Sequence, residues 1–172
     1  MMKREVRIYN MIIPLWLLWL FPPLFPWVLP VILLGNLAID TAVLSLALKA
    51  MKRTDREQLM EHLWWRIWWR GFAADAAGMA WLFLALILWE MSFGHRPTFW
   101  QKWLGFVMGD PFGHPVALLW TLMAVAIAGV CIYRLDRKAL RSAGLTGREA
   151  HRAALALAII TAPWTFLIPT PM

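Results

Sequence analysis

Three acidic residues stand inside stretches otherwise fit for hydrocarbon: Asp40, Asp75 and Glu90. An ionisable group at membrane depth is costly unless it is paired or hydrated, so each is a suspect for function. Asn36 lies four residues before Asp40, one helical turn away on the same face. The stretch "NLAID" therefore offers an amide and a carboxyl to a neighbouring helix or cavity. Such a pair suits an exchangeable proton or a hard cation, and it equally suits hydrogen bonds that fasten helices together. At about 1.5 Å per residue, Asp40 lies ~13 Å in from Lys49, close to the middle of a span ending there. Asp75 lies only ~7 Å from Arg70 along its helix, and a salt bridge to Arg70, Arg148 or Arg152 is expected. Glu90, near the outer end of its span, is expected to be solvated.

Other chemistry is hard to find. The sequence holds no HExxH, GxSxG, Walker loop or CxxC pair. Its four histidines, His62, His95, His114 and His151, are scattered. "DPFGH" brings Asp110 and His114 across a turn, and His95 could join them. Without a ligand spacing this reads as loop polarity and not as a metal site. Cys131 is the single cysteine, so no disulfide forms within the chain. The sequence points to no catalytic residue, no cofactor and no bound metal; the protein is not expected to be an enzyme.

The elements that position these residues follow from hydropathy. Of the 172 residues, 61% are hydrophobic and only 16% charged, against roughly a quarter charged in soluble domains. The charges are clustered, leaving uncharged stretches such as 11–39 and 76–89. A helix crosses a bilayer with about 20 apolar residues. The expected fold is all-α: one polytopic transmembrane bundle over 1–172, a single integral-membrane domain. Five spans are expected, at about 5–21, 27–49, 71–93, 115–133 and 152–168. "PPLFPW" breaks the first two into a helical hairpin, since proline interrupts a straight helix. The basic start with its apolar run resembles a signal peptide but has no small-residue cleavage site, and it is expected to be retained. No lipidation motif stands at either end.

The basic residues orient this threading. Lys3, Arg4 and Arg7, six more between 49 and 70, and six between 134 and 152 fall on one side with five spans. That is 15 of the 17 Lys and Arg, leaving Arg96 and Lys102 opposite. Such asymmetry marks the cytoplasmic side. A multi-pass protein of the plasma or inner membrane is expected, N-terminus inside and C-terminus outside. The net charge of +7 is absorbed by this rule, and no nucleic-acid partner is implied.

"LWWRIWWRG" sits at the inner boundary. Residues 52–70 read as an interfacial amphipathic helix, with Leu59, Met60, Leu63, Trp64, Ile67 and Trp68 on one broad face. Trp64, Trp65, Trp68 and Trp69, with Arg66 and Arg70, are expected to form a collar at headgroup level. A cation–π ligand cage is the alternative. On the outer side Pro97 reads as a helix start, with Phe99, Trp100, Trp103 and Phe106 as surface anchors and Gly109 to Pro111 as the stop. Gly144 and Gly147 suggest a turn, and Thr146 a cap for the last span. Ala74 and Gly78, Ala124 and Ala128, and Ala154 and Ala158 are spaced for close helix contact, within one protomer or between copies.

Two functions fit these features. One is a non-catalytic accessory or scaffold subunit of a membrane complex, holding a partner membrane subunit through small-residue faces and the basic inner surface. The other is a small transporter or channel, a homo-oligomer or partnered, passing a proton, cation or small solute by way of Asp40 and Asn36. In either case the bilayer is the first partner.

Overall fold

Apolar runs of span length, bounded by prolines, glycines and charges, dictate helices, and helices form. In the computed structural model the described residues are 28–91 and 99–170. They comprise α1 (Val28–Ala50), α2 (Arg56–Met91), α3 (Phe99–Met108), α4 (Pro115–Ser142) and α5 (Gly147–Ile160), with short 3-10 turns at Pro111–Gly113 and Trp164–Leu167. Among the described residues there is no strand, and four helical stretches are long and apolar enough to cross a membrane. The chain is an all-α membrane bundle. The expected span at 5–21, the "PPLFPW" break and Pro97 lie outside the described residues.

Local signals start and stop the helices. Pro115 opens α4, where its missing N–H is not needed. Gly144 adopts φ 93° just beyond the end of α4. The Gly144 amide donates to the Arg141 carbonyl and the Leu145 amide to that of Leu140, closing the helix in the glycine-terminated manner. Thr146 then caps α5. Its backbone N–H donates to the Glu149 carboxylate at 2.9 Å, and its hydroxyl accepts from the Glu149 amide. This capping box satisfies two otherwise free donors.

Several boundaries differ from the hydropathy reading, the last helix among them: α5 spans Gly147–Ile160 in place of 152–168, with the 3-10 turn Trp164–Leu167 after it. Residues 56–70 do not form a separate helix along the interface; they run without a break into the third span. At 36 residues, α2 is about 54 Å long against a hydrocarbon core of about 30 Å. The helix is therefore longer than the core it would cross, and its charged first turns are the part least suited to hydrocarbon. Leu59, Leu63 and Ile67 are buried against protein, which is what makes this charged segment part of the bundle. The fourth helix continues to Ser142, nine residues past the expected end. Ile132, Asp136, Ala139 and Leu140 keep a helical spacing on its buried face.

α2 packs most extensively along α4, α4 along α5, and α1 lies across α2 and α5. The α1–α2 and α4–α5 turns meet at one end. There Arg53 donates to both Asp55 carboxylate oxygens at 2.8 and 2.6 Å and lies 3.5 Å from Glu149. At the other end the Thr170 amide donates to the Gly109 carbonyl at 2.9 Å, tying the C-terminal tail to the end of α3. The hydrogen bonds from Arg53 hold the Asp55 carboxyl below the usual carboxylate range. A depressed folded value adds stability that is present above the unfolded value of about 3.9 and lost as pH falls through the folded one. Asp55→Asn is expected to remove this small acid-side loss, read as a flatter Tm between pH 5 and pH 2.

The core divides in two. A cluster built on Leu44, Leu48, Leu63, Ile67, Ile132, Leu140 and Leu157 fills the end with the two turns. A second, with Leu82, Leu104, Val125 and Phe166, fills the other end. Trp103 belongs there as well, buried against Trp120 at 5.5 Å, and is not a surface anchor. Phe106 is exposed and stacks on His114. Leu34, Leu46, Leu119 and Ile159 are more than half exposed, as side chains facing lipid should be. The small residues are used internally: Ala74, Gly78, Ala124, Ala128 and Ala154 are buried between α2, α4 and α5.

Candidate functional site

Three carboxyls enter the bundle interior. Asp40 and Asp75 are each 5% exposed and Asp136 only 1%. α1 contributes Asp40, the first buried residue after a run of lipid-facing or half-buried side chains. α2 contributes Asp75, between Ala74 of one core cluster and Met79 of the other. α4 contributes Asp136, four residues after Ile132 on its buried face. The acids therefore sit toward the end with the two turns, where the apolar packing changes hands.

The contacts define the site. The Asp40 carboxyl lies against the bare backbone of Gly71: a Cβ there would come within 3.3 Å of Oδ2. Thr161, the residue that ends α5, comes within hydrogen-bonding reach of Asp40, and its hydroxyl donates to the Leu157 carbonyl at 2.9 Å. Asp75 and Asp136 are each close enough to Asp40 for their charges to interact. Arg70 reaches in from α2, donates to the Leu135 carbonyl at 3.0 Å, and places its charge near Asp136. Oδ1 of Asp75 and Oδ1 of Asp136 are buried with no hydrogen-bond partner among the described residues. A buried oxygen of this kind normally finds a donor or a ligand.

Among the described residues no three acidic, His or Cys side chains come close enough to hold a metal ion. The arrangement suits uptake and release of protons, or a network that fastens four helices.

Other candidates fall elsewhere. Asn36 is half-buried one turn from Asp40. Asp75 forms no salt bridge among the described residues, and Arg148 and Arg152, its expected partners along with Arg70, are exposed. Arg70 turns inward and leaves the collar. Trp64, Trp65 and Trp69 are exposed and Arg66 points outward with them. Trp65 packs on Trp68 at 4.8 Å and Trp69 at 6.4 Å, and Trp68 donates its indole N–H to the Leu33 carbonyl. Asp110 and His114 are helix caps, accepting from the amides of Phe112 and Val116. Glu90 is exposed.

Asp136 was hidden in a stretch so charged that it reads as a loop. The signal that could have found it is the helical spacing of Ile132, Asp136, Ala139 and Leu140. Comparison with protein-family models, curated proteins and solved structures returns no match. The site must be interpreted from its own chemistry.

Proposed function

We propose that this chain is a small multi-pass membrane transporter or channel that handles protons, with Asp40, Asp75 and Asp136 as the exchange site and Arg70 as the counter-charge beside Asp136. The observation that carries the reading is the convergence of three buried carboxyls from three helices, two of them with an unpartnered oxygen. Intramembrane acids facing a bundle interior are typical of proton relays. The basic residues further support an orientation with the two turns in the cytoplasm. Reporter fusions after Lys52 and Arg141 should read inside, and fusions after Lys102 and Met172 outside.

The test is proton flux into proteoliposomes under an imposed pH gradient, followed with a trapped pH-sensitive dye. Wild-type protein is expected to raise the flux above that of empty vesicles. Asp40→Asn, which keeps shape and removes ionisation, is expected to fold and to return the flux to the empty-vesicle level. One observation favours a second reading, an accessory subunit in which the acids only fasten helices. Gly78, Ala124 and Phe166 close the packing on the far side of the cluster. On that reading wild-type protein carries no flux, and the Asn variants differ from it only in thermal stability. On that reading Ala74, Gly78, Ala124, Ala128 and Ala154, buried inside the bundle, are not the docking face.

A further inference from the structure

Past its apolar portion, α4 carries a second polar feature that owes nothing to the buried acids. Tyr133, Arg134, Arg137, Lys138 and Arg141 line a cleft of about 400 Å3. Four cations share it, and the ion pairs formed among the described residues engage only Arg53. The Arg137 guanidinium lies 5.7 Å over the Tyr133 ring. Its Nε is buried without a hydrogen-bond partner among the described residues. The Tyr133 hydroxyl is 2.8 Å from His151 Nδ1, which joins α4 to α5 at this edge and braces the ring. Like charges gathered without a counter-ion repel one another, and an anion placed among them removes that repulsion.

What lies next to the cleft decides which anion. Leu119, Met123 and Val130 are exposed on α4. Their spacing to Arg134, Arg137 and Arg141 in steps of three, four and seven residues puts them on the same helix flank. One strip therefore runs from open apolar side chains to clustered guanidinium groups over a single helix. A free anion would use only the basic part. A phospholipid uses both, with chains along the apolar side chains and phosphate in the cleft, where arginines bind it through paired N–H donors. Basic pockets at the ends of membrane helices are suited to anionic headgroups.

We infer that this cleft is a binding site for the headgroup of an anionic phospholipid, held by Arg134, Arg137, Lys138 and Arg141, with its acyl chains along Leu119, Met123 and Val130. The full chain, purified in a neutral detergent, is titrated with phosphatidylglycerol or phosphatidylcholine in mixed micelles, and bound lipid is counted by native mass spectrometry. Phosphatidylglycerol is expected to be retained at least about tenfold more tightly than phosphatidylcholine. The variant Arg134→Gln/Arg137→Gln/Lys138→Gln should bind the two equally while keeping its helical circular dichroism. Should that variant fail to fold, Arg134→Gln/Arg141→Gln replaces it, both side chains being exposed, with an expected loss of at least about threefold. Inorganic phosphate alone is the third arm and should not displace the lipid or raise the Tm at millimolar concentration. Equal retention of the two lipids by wild type, unchanged retention in the folded Gln variants, or full competition by free phosphate would each overturn the assignment.

Discussion

Gly78→Ala is expected to destabilise the bundle by about 1–3 kcal/mol, although alanine is the better helix former. A Cβ at this position would sit 2.9 Å from the Ala124 carbonyl oxygen and 2.9 Å from Phe166 Cε2, with the Ala128 methyl at 3.2 Å. Two of these neighbours belong to α4, so relief requires the two most extensively packed helices to separate. The gain in helix propensity, up to about 1 kcal/mol, does not offset that. Gly78→Leu should prevent monodisperse purification altogether. Gly35→Ala is the control: among the described residues nothing lies within 4 Å of a Cβ there, and it should leave stability unchanged or raise it by up to about 1 kcal/mol. Thermal unfolding in detergent, followed by tryptophan fluorescence, measures the two alanine variants, and size-exclusion chromatography reads Gly78→Leu. A Gly78→Ala protein as stable as wild type would disprove the close α2–α4 approach.

Arg70→Gln is the second large expected effect. Arg70 donates to the Leu135 carbonyl and brings the positive charge that reaches Asp136. Hydrogen bonds to charged groups contribute about 1.5–3 kcal/mol each, and the lost counter-charge adds to that. Arg70→Gln should therefore lower the Tm clearly, while Arg66→Gln, exposed one turn away, should not. Asp136→Asn in the Arg70→Gln background should restore part of the loss, because the carboxylate that needed the cation has been removed. The coupling from such a cycle is expected at about 0.5–3 kcal/mol. Arg70→Lys should rescue only partly, since an ammonium keeps the charge but lacks the planar guanidinium that donates to the Leu135 carbonyl. Strictly additive single effects would place Arg70 and Asp136 in separate environments.

The same two residues show where reading the sequence stops. Arg70 and Trp69 are neighbours in "LWWRIWWRG", and both were natural members of an interfacial collar. Trp69 is exposed and Arg70 points toward α4. A helix turns about 100° per residue, so adjacent side chains face different surroundings, and the surroundings are set by which helix lies alongside. For Asp136 the high local charge concealed a buried position, because hydropathy averages over faces that the helix keeps separate. Asp40 was recognisable at once, being a lone acid in an apolar run.

By itself the sequence determined that this is an all-α membrane bundle, with a helix opening at Pro115 and a turn and cap at Gly144 and Thr146. Those properties depend on local quantities: the apolar length needed to cross hydrocarbon, the proline that can begin a helix at 115, the glycine able to take φ 93° at 144, and the Thr146 hydroxyl facing the Glu149 amide. Only the tertiary structure decided that 56–70 continues the third span, and that Asp40, Asp75, Asp136 and Arg70 meet in one interior. It also turned the small-residue faces inward. Burial against protein outweighs local polarity along 56–70, and the meeting of residues up to 96 positions apart depends on which helices become neighbours, a property of packing that no single segment contains.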